Sequence, residues 1–139
     1  MQPIHATAVA RSGPRGWQGV LLRGPSGAGK SDLALRLIDG GWRLVADDYT
    51  HVWASDRALY ACAPQCIAGH IEARGVGIVS AGSLPLTRIV LLVDCLKVEP
   101  ERLPEAAFDR LAGIRLPCLA LDIRPASAPV TVGLALDRL

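Results

Sequence analysis

The alternation of apolar and polar positions predicts a chain built mainly of β-strands. Small apolar residues alternate with more polar ones over residues 4–10, which is the period-two pattern of a strand. Residues 11–16 are rich in Gly, Arg and Pro, a turn composition, and an apolar segment resumes over residues 17–22. The N-terminal part of the chain is therefore predicted to be a hairpin.

A short amphipathic helix is predicted next, over residues 30–39. Its apolar residues recur at the three- and four-residue spacing of one helical face: Leu33, Ala34, Leu37 and Ile38. Gly40 and Gly41 then supply a stop signal, because glycine readily takes the backbone conformations that end a helix.

The middle of the chain predicts further strands. Residues 42–48 form a short apolar strand that ends in two carboxylates, and residues 49–70 have the pattern of a hairpin with a polar turn at Asp56 and Arg57. Residues 89–93 are almost continuously apolar, which is typical of a strand buried on both faces.

The C-terminal third has weaker patterns. Pro104 and Pro117 bracket a short helix that we predict at residues 105–111, and a further strand is predicted at residues 119–123. Residues 126–139 predict no helix long enough to dock on the rest of the chain. The whole pattern predicts an α/β fold with a mostly β core and few helices.

Composition and charge narrow the functional classes. The chain has 139 residues, half of them hydrophobic and one fifth charged, which fits a single domain over residues 1–139. A net charge of +2 with scattered arginines argues against nucleic acid as the main partner. The sequence has no apolar run of about 18 residues and no signal-peptide pattern at its start, so we expect a cytoplasmic protein with no membrane partner.

The cysteines favour a reduced protein without a metal cluster. There are four of them: Cys62, Cys66, Cys95 and Cys118. They show no paired C-x-x-C spacing, so we expect small, buried thiols. Cys62, Cys66 and His70 recur every four residues, which leaves a zinc site as an alternative, but Pro64 interrupts any helix there and no fourth ligand is evident.

The most specific motif lies between the hairpin and the helix. Residues 24–31 fill every fixed position of the pattern G-x-x-x-x-G-K-[ST], directly after an apolar strand. The motif consists of Gly24, Pro25, Ser26, Gly27, Ala28, Gly29, Lys30 and Ser31. In such a phosphate-binding loop (P-loop), backbone N–H groups surround phosphate oxygens, the lysine adds a positive charge and the hydroxyl binds Mg²⁺. A tight turn alone would leave Lys30 and Ser31 unexplained, so we predict a site for a nucleoside triphosphate or a related polyphosphate.

Two adjacent carboxylates, Asp47 and Asp48, follow the next strand. Ligands of α/β sheets gather beyond the carboxyl ends of strands, and neighbouring side chains there point in different directions. One aspartate can therefore serve the metal or the scaffold while the other faces the phosphoryl acceptor. The alternatives are a polar strand end without a role, and Asp94 as the Mg²⁺-holding aspartate of an ordinary P-loop NTPase. We favour the aspartate pair acting with Glu72.

Four motifs follow one another along the chain. They are the loop at residues 24–31, Leu-Val-Ala-Asp-Asp at 44–48, Ile-Glu-x-Arg-Gly-x-Gly-Ile at 71–78 and Phe-Asp-Arg-Leu at 108–111. Together they resemble the catalytic domain of bacterial HPr kinase/phosphorylase, and the aspartate pair separates that family from ordinary P-loop NTPases. The resemblance implies the fold type of HPr kinase and phosphoenolpyruvate carboxykinase.

The resemblance implies an ATP- and Mg²⁺-dependent serine kinase. Its substrate would be HPr, the phosphocarrier of the bacterial sugar phosphotransferase system. Lys30 would neutralise the β- and γ-phosphates, and Ser31 with Glu72 would hold Mg²⁺. Asp48 would accept the proton of the HPr serine, with support from Asp47.

Two more residues are carried over by the resemblance. His5 resembles the family histidine near the phosphates, and Arg110 resembles the arginine of the Phe-Asp-Arg motif. The alternative interpretations are a surface histidine without a role and a solvated helix arginine paired with Asp109 or Glu105.

The chain departs from the family pattern in several places. The family's N-terminal domain, the glycine-rich stretch after Gly77, the Gly-Arg-Asn element near the C-terminus and the terminal helix that engages HPr are all expected to be missing or reduced. In the family the Gly-Arg-Asn element is linked to phosphorolysis, which removes the phosphoryl group from HPr and gives pyrophosphate. Its absence here puts that second activity in doubt. An HPr paralogue is an alternative acceptor, and a homo-oligomer is an open alternative because family members form hexamers.

Two other functional hypotheses remain. A nucleotide-sensing regulatory module would bind ATP through Lys30 and phosphorylate nothing. A small-molecule kinase or NTPase would use Asp94 with the loop and tolerate replacement of Asp48.

Overall fold

Strands dominate the structure, a computed structural model that describes residues 2–139. In chain order the elements are β1 (Ile4–Gly13), β2 (Gly16–Arg23), α1 (Lys30–Asp39), β3 (Arg43–Ala46), β4 (Tyr49–Ser55), β5 (Ala58–Cys62), β6 (His70–Ala73), β7 (Gly77–Ser80), β8 (Thr87–Leu96), β9 (Ala107–Leu111), β10 (Ile114–Asp122) and α2 (Ala128–Asp137). The predicted α/β fold with a mostly β core and few helices is confirmed. Within residues 2–139, neither helix is long and apolar enough to cross a membrane.

The main sheet closes on itself through five strands. β1 pairs with β2 and β4, β4 pairs with β5, and β8 pairs with both β5 and β2. β3 adds to β1, and β10 extends the sheet from β8 and pairs in turn with β9. β1 therefore contacts three strands, and it lies next to the point where the chain leaves β3 and enters β4.

Two apolar cores lie on opposite faces of these strands. Ala8 and Leu21 belong to one core, whereas their chain neighbours Val9 and Leu22 belong to the other. Successive side chains of a strand point to opposite faces, so β1 and β2 are buried on both sides. The second core also takes up the buried faces of α1 and α2.

Most of the predicted elements are confirmed. β1 and β2 form the N-terminal hairpin, α1 has the predicted bounds, and β8 contains the apolar run at residues 89–93. β4 and β5 form the second hairpin, and both turn residues, Asp56 and Arg57, have positive φ angles. The predicted strand at residues 119–123 lies largely within the longer strand β10.

The helix predicted at residues 105–111 is wrong, because this segment contains strand β9. It pairs antiparallel with β10 through a turn at Ala112 and Gly113, whose φ angles are 50° and 79°. Pairing with β10 satisfies the backbone of β9, and most of its side chains stay exposed. Pro104 precedes this hairpin, whereas Pro117 lies within β10, opposite Phe108 of β9.

The prediction of a C-terminal tail without a helix is also wrong. α2 starts after Ser127 and buries three side chains at four-residue spacing, namely Ala128, Val132 and Leu136. Gly133 and the β-branched residues of this segment disfavour a helix locally, but burial against the helix-bearing core outweighs that preference. The segment therefore contains a helix, whereas the expected lack of the family's HPr-engaging helix stays a prediction.

The four cysteines are free thiols in different surroundings. Burial raises the pKa of the Cys95 thiol to about 12, and burial together with a hydrogen bond to Asp94 raises that of Cys118 to about 11. The prediction of buried thiols is confirmed for Cys95 and wrong for the exposed Cys66, while Cys62 and Cys118 are half-buried. In the described part of the chain, no three His, Cys, Asp or Glu side chains are grouped to hold a metal ion, which gives the zinc alternative no support.

Leu136→Ala is expected to destabilise the protein by about 2–5 kcal/mol, because it opens a cavity under α2. Leu136 is 1% exposed, whereas Leu134 on the same helix is 58% exposed. Leu134→Ala is therefore the matched control and should change the free energy of unfolding by less than about 0.5 kcal/mol. Urea denaturation measures both, and equal effects of the two variants would contradict the docking of α2.

Alkylation by iodoacetamide at pH 8 is expected to modify Cys66 first and to spare Cys95 and Cys118. At that pH a thiol with a pKa of about 11 carries about 100-fold less thiolate than one at the ordinary value of 9.0. Mass spectrometry of timed samples gives the order of modification. Fast labelling of Cys95 in the folded protein would show that this side of the core is open.

Candidate active site

A cleft of about 360 Å³ lies where α1 begins. The glycine-rich loop and the first turn of α1 form one wall, and Asp48, Glu72 and Arg74 face them. Lys97 and Arg124, which follow the carboxyl ends of β8 and β10, complete the lining. The cleft thus lies beyond strand ends, where α/β sheets bind their ligands.

The glycine-rich loop packs too closely for side chains at two positions. Gly29 has a φ of 98° directly before α1, and a Cβ there would lie 3.1 Å from Ile123 Cδ1. A Cβ at Gly24 would lie 3.1 Å from the backbone oxygen of Cys95. The glycines therefore let the loop fold tightly against β8 and the segment after β10.

Lys30 is held within the loop that precedes it. Its side chain is 4% exposed, and Nζ donates hydrogen bonds to the backbone oxygens of Gly24 at 2.8 Å and Pro25 at 3.1 Å. These neutral acceptors leave the positive charge of the ammonium group uncompensated beside the cleft. The arrangement suits a polyphosphate, whose oxygens would be stronger acceptors for the same donor.

Asp47 is the best-connected carboxylate of the site. It is 8% exposed, and Oδ1 accepts hydrogen bonds from Ser31 Oγ at 2.5 Å and Thr7 Oγ1 at 3.3 Å. Oδ2 accepts from the backbone N–H of Glu72 at 3.1 Å. Both oxygens are therefore engaged, and the carboxylate joins β1, α1 and β6 to the end of β3.

Asp48 has a different environment from its neighbour. It is half-exposed and lines the cleft, and its Oδ1 lies 2.7 Å from His5 Nε2. A carboxylate can only accept, so Nε2 donates this bond, and the Oδ2 atom of Asp48 is left for another donor. Of the two aspartates, Asp48 is the one placed to meet a substrate in the cleft.

Ser31 and Glu72 offer oxygen ligands on the two walls of the cleft. The hydroxyl proton of Ser31 points at Asp47, so the lone pairs of Ser31 Oγ stay available to a cation. Hydroxyl and carboxylate oxygens are the donors that Mg²⁺ prefers, and Mg²⁺ in nucleotide sites takes its remaining ligands from phosphates and water. The residues present therefore fit Mg²⁺ bound together with a polyphosphate.

Asp94 is committed to an ion pair away from the cleft lining. Arg23 donates to both of its oxygens at 2.9 and 3.2 Å, and also to Asp109 Oδ2 at 2.9 Å. Burial lowers the pKa of Arg23, but its hydrogen bonds to Asp94 and Asp109 outweigh that effect and raise it overall. The bond from Arg23 also lowers the pKa of Asp109. Both oxygens of Asp94 are thus engaged by Arg23, and Asp94 is not among the residues that line the cleft.

Arg110 lies on the exposed strand β9, outside the cleft lining. Its Nη1 donates to the backbone oxygen of Gly113 at 3.2 Å. The structure thus brings together His5, Asp47, Asp48 and the loop with Glu72, and it leaves Arg110 apart from them.

Sequence reasoning gave no role to several residues around the cleft. Arg36 on α1 donates to the backbone oxygens of Ile123 at 2.6 Å and Pro125 at 3.1 Å, which holds the segment after β10 against the helix. Lys97 adds positive charge to the lining, whereas Arg124 is paired with Asp122, to which Nε and Nη2 each donate at 3.0 Å. Both cations are single residues without a motif, so only their placement after strand ends distinguishes them from other surface cations.

The curated relatives are longer proteins that match most of this chain. HPr kinase/phosphorylase of Geobacillus thermodenitrificans is 39% identical over 124 residues, which cover 77% of this chain and 39% of the relative. HPr kinase/phosphorylase of Limosilactobacillus reuteri is 40% identical over 112 residues, which cover 78% of this chain and 34% of the relative. The chain thus spans less than half the length of these relatives.

The fold is also known from a solved structure. The HPr(Ser) kinase/phosphatase from Coxiella burnetii superposes with a TM-score of 0.80 at 24% identity, covering 99% of this chain and 95% of that chain. At that identity the likeness concerns the fold. A sequence model for the HPr Serine kinase C-terminal domain matches residues 16–132. This match covers most of the chain, including the loop, the aspartate pair and Glu72, and the chain therefore belongs to the family of HPr serine kinase C-terminal domains.

Proposed function

We propose that this chain is an ATP- and Mg²⁺-dependent protein serine kinase that phosphorylates HPr or an HPr paralogue. The observation that carries the proposal is the half-exposed Asp48, which lines the same cleft as the glycine-rich loop, Ser31 and Glu72. A carboxylate with one free oxygen beside a polyphosphate site is what transfer to a hydroxyl requires. The names of the relatives, all HPr kinase/phosphorylase, point to HPr as the acceptor.

ATP would bind with its phosphates on the loop and the start of α1. Backbone N–H groups of residues 27–31 and the positive end of the helix would receive the phosphate oxygens. Lys30 would exchange its two backbone acceptors for the β- and γ-phosphates. Lys97 would add positive charge along the same cleft.

Mg²⁺ would be held by Ser31 Oγ and the Glu72 carboxylate. When bound, it neutralises charge on the β- and γ-phosphates and so favours departure of ADP. Asp47 would fix both ligands, because it accepts the Ser31 proton and the backbone N–H of Glu72. Asp47 thus supports the site by orienting the metal ligands. Because both of its oxygens already accept hydrogen bonds, Asp47 itself would not act as a base.

Asp48 would act as the general base. The serine hydroxyl of the acceptor gives its proton to Asp48 as its oxygen bonds to the γ-phosphorus, and the bond from that phosphorus to the β–γ bridging oxygen breaks to release ADP. His5 would keep Asp48 Oδ1 occupied so that Oδ2 faces the serine. Arg110 lies apart from the cleft, and its role in the reaction stays a prediction.

Three further expectations accompany this proposal. We expect residues 1–139 to act as one catalytic domain, and a homo-oligomer is an open alternative for its assembly. A second, phosphorolytic activity is an open alternative, in doubt because the Gly-Arg-Asn element that the family links to it is not found in the sequence.

Asp48→Asn is expected to lower phosphoryl transfer to HPr by about 100-fold or more, because the amide cannot accept the serine proton. The measurement is transfer of label from γ-labelled ATP with Mg²⁺ to purified HPr. Binding of a fluorescent ADP analogue should change by less than about twofold, since Lys30 and the loop are intact.

The matched control for this variant is Asp56→Asn. Asp56 also has a positive φ angle, 49° against 69° for Asp48, but lies in the β4–β5 turn. It should leave transfer unchanged. Nucleotide binding by the unaltered protein without any label on HPr or its paralogue would overturn the kinase proposal and favour the nucleotide-sensing module.

Glu72→Gln is expected to raise the Mg²⁺ concentration for half-maximal transfer by about tenfold, because a neutral amide is a weaker ligand than a carboxylate. A Mg²⁺ titration at saturating ATP measures this shift. Glu101→Gln, on an exposed loop residue, is the control. An unchanged Mg²⁺ requirement in Glu72→Gln would remove Glu72 from the metal site.

A further inference from the structure

The backbone at Asp48 has a strained conformation. Its φ angle is 69°, and the N–H of Tyr49 donates a 2.7 Å hydrogen bond to the backbone oxygen of Asp47. A bond from residue i+2 to residue i around a central residue with positive φ defines the rarer and more strained form of the γ-turn. Non-glycine residues keep such conformations only where the surroundings enforce them.

Thr7 supplies the enforcing contact. It is 0% exposed, and its Oγ1 accepts the backbone N–H of Asp48 at 3.0 Å. The single proton of that hydroxyl is directed at Asp47 Oδ1, 3.3 Å away. One buried hydroxyl therefore holds the backbone of one aspartate and the side chain of the other.

The strand register explains why Thr7 can reach both residues. β1 pairs with β3 at Ala8 and Ala46, and with β4 at His5 and Tyr49. Thr7 lies between these two paired stretches, opposite the corner where the chain passes from β3 to β4. Two positions away on the same strand, His5 contacts the carboxylate of Asp48. β1 thus secures Asp48 twice, once at the backbone and once at the side chain.

We propose that Thr7 is a positioning residue, whose hydroxyl holds the strained turn at Asp48 and thereby aims the carboxylate of that residue into the cleft. The effect on transfer rests on the proposed kinase function. The effect on the turn does not, because it concerns the backbone of the protein without any substrate.

The first test compares Thr7→Val, which removes the hydroxyl at nearly constant shape, with Thr7→Ser, which keeps it. Thr7→Val should lower kcat for HPr phosphorylation by about tenfold or more, because a misplaced base reacts slowly. The KM for ATP should stay within about twofold, since the loop and Lys30 are untouched. Thr7→Ser should retain kcat within about threefold. Equal loss of kcat in both variants, or a parallel loss of ATP affinity, would overturn the proposal.

The second test measures amide hydrogen exchange and needs no kinase activity. In Thr7→Val the amide of Tyr49, whose bond closes the turn, should lose at least about tenfold of its protection, while the amide of Leu92 in β8 keeps its own. The double variant Thr7→Val with Asp48→Gly should recover protection at Tyr49, because glycine takes a positive φ without enforcement. Unchanged protection of Tyr49, or an equal loss at Leu92, would overturn the proposal that Thr7 holds the turn, which we call the clamp.

The two tests separate the two proposals. If the unaltered protein transfers no phosphate to HPr while Thr7→Val opens the turn, the clamp stands and the kinase function fails. If transfer occurs and Thr7→Val leaves the protection of Tyr49 unchanged, the kinase function stands and the clamp fails.

Discussion

The site depends on the hydrogen bonds that the buried carboxylate of Asp47 accepts. This carboxylate collects donors from three separate elements, through Ser31 on α1, Thr7 on β1 and the backbone of Glu72 on β6. A buried charge without such donors would be strongly unfavourable, so these elements are held at fixed distances from the end of β3. The same bonds orient both candidate ligands of the metal ion. Structural and functional demands therefore meet in one side chain.

The adjacent aspartates are chemically identical but have been given opposite environments. Asp47 is buried with both oxygens engaged, whereas Asp48 is half-exposed with one oxygen bonded to His5. The difference arises because β1 runs past the corner between β3 and β4 and supplies a threonine and a histidine from one face. β1 pairs with β2, β3 and β4 near this corner. The strained backbone of Asp48 is kept by its surrounding contacts, as strain at functional sites generally is.

Local pattern predicted the elements whose apolar residues leave a clear signal in the sequence. The β1–β2 hairpin and α1 carry strong periodicity and β8 contains a continuous apolar run, and each was confirmed. β9 and α2 were predicted wrongly for opposite reasons. β9 is an exposed strand that exists because β10 pairs with it, and α2 is a helix of poor propensity that exists because its apolar face is buried. In both cases a partner distant in the sequence outweighed the local preference.

The sequence by itself determined the chemistry that this protein has at its disposal. The glycine-rich loop, the aspartate pair and Glu72 are recognisable because their spacing is set by short segments of chain. Only the tertiary structure decided the environment of each aspartate, because burial and hydrogen bonding there depend on contacts with β1, about 40 residues earlier in the chain. It also placed Asp94 in an ion pair with Arg23 and left Arg110 outside the cleft lining. Burial and hydrogen bonding are properties of the packed molecule, and no local pattern encodes them.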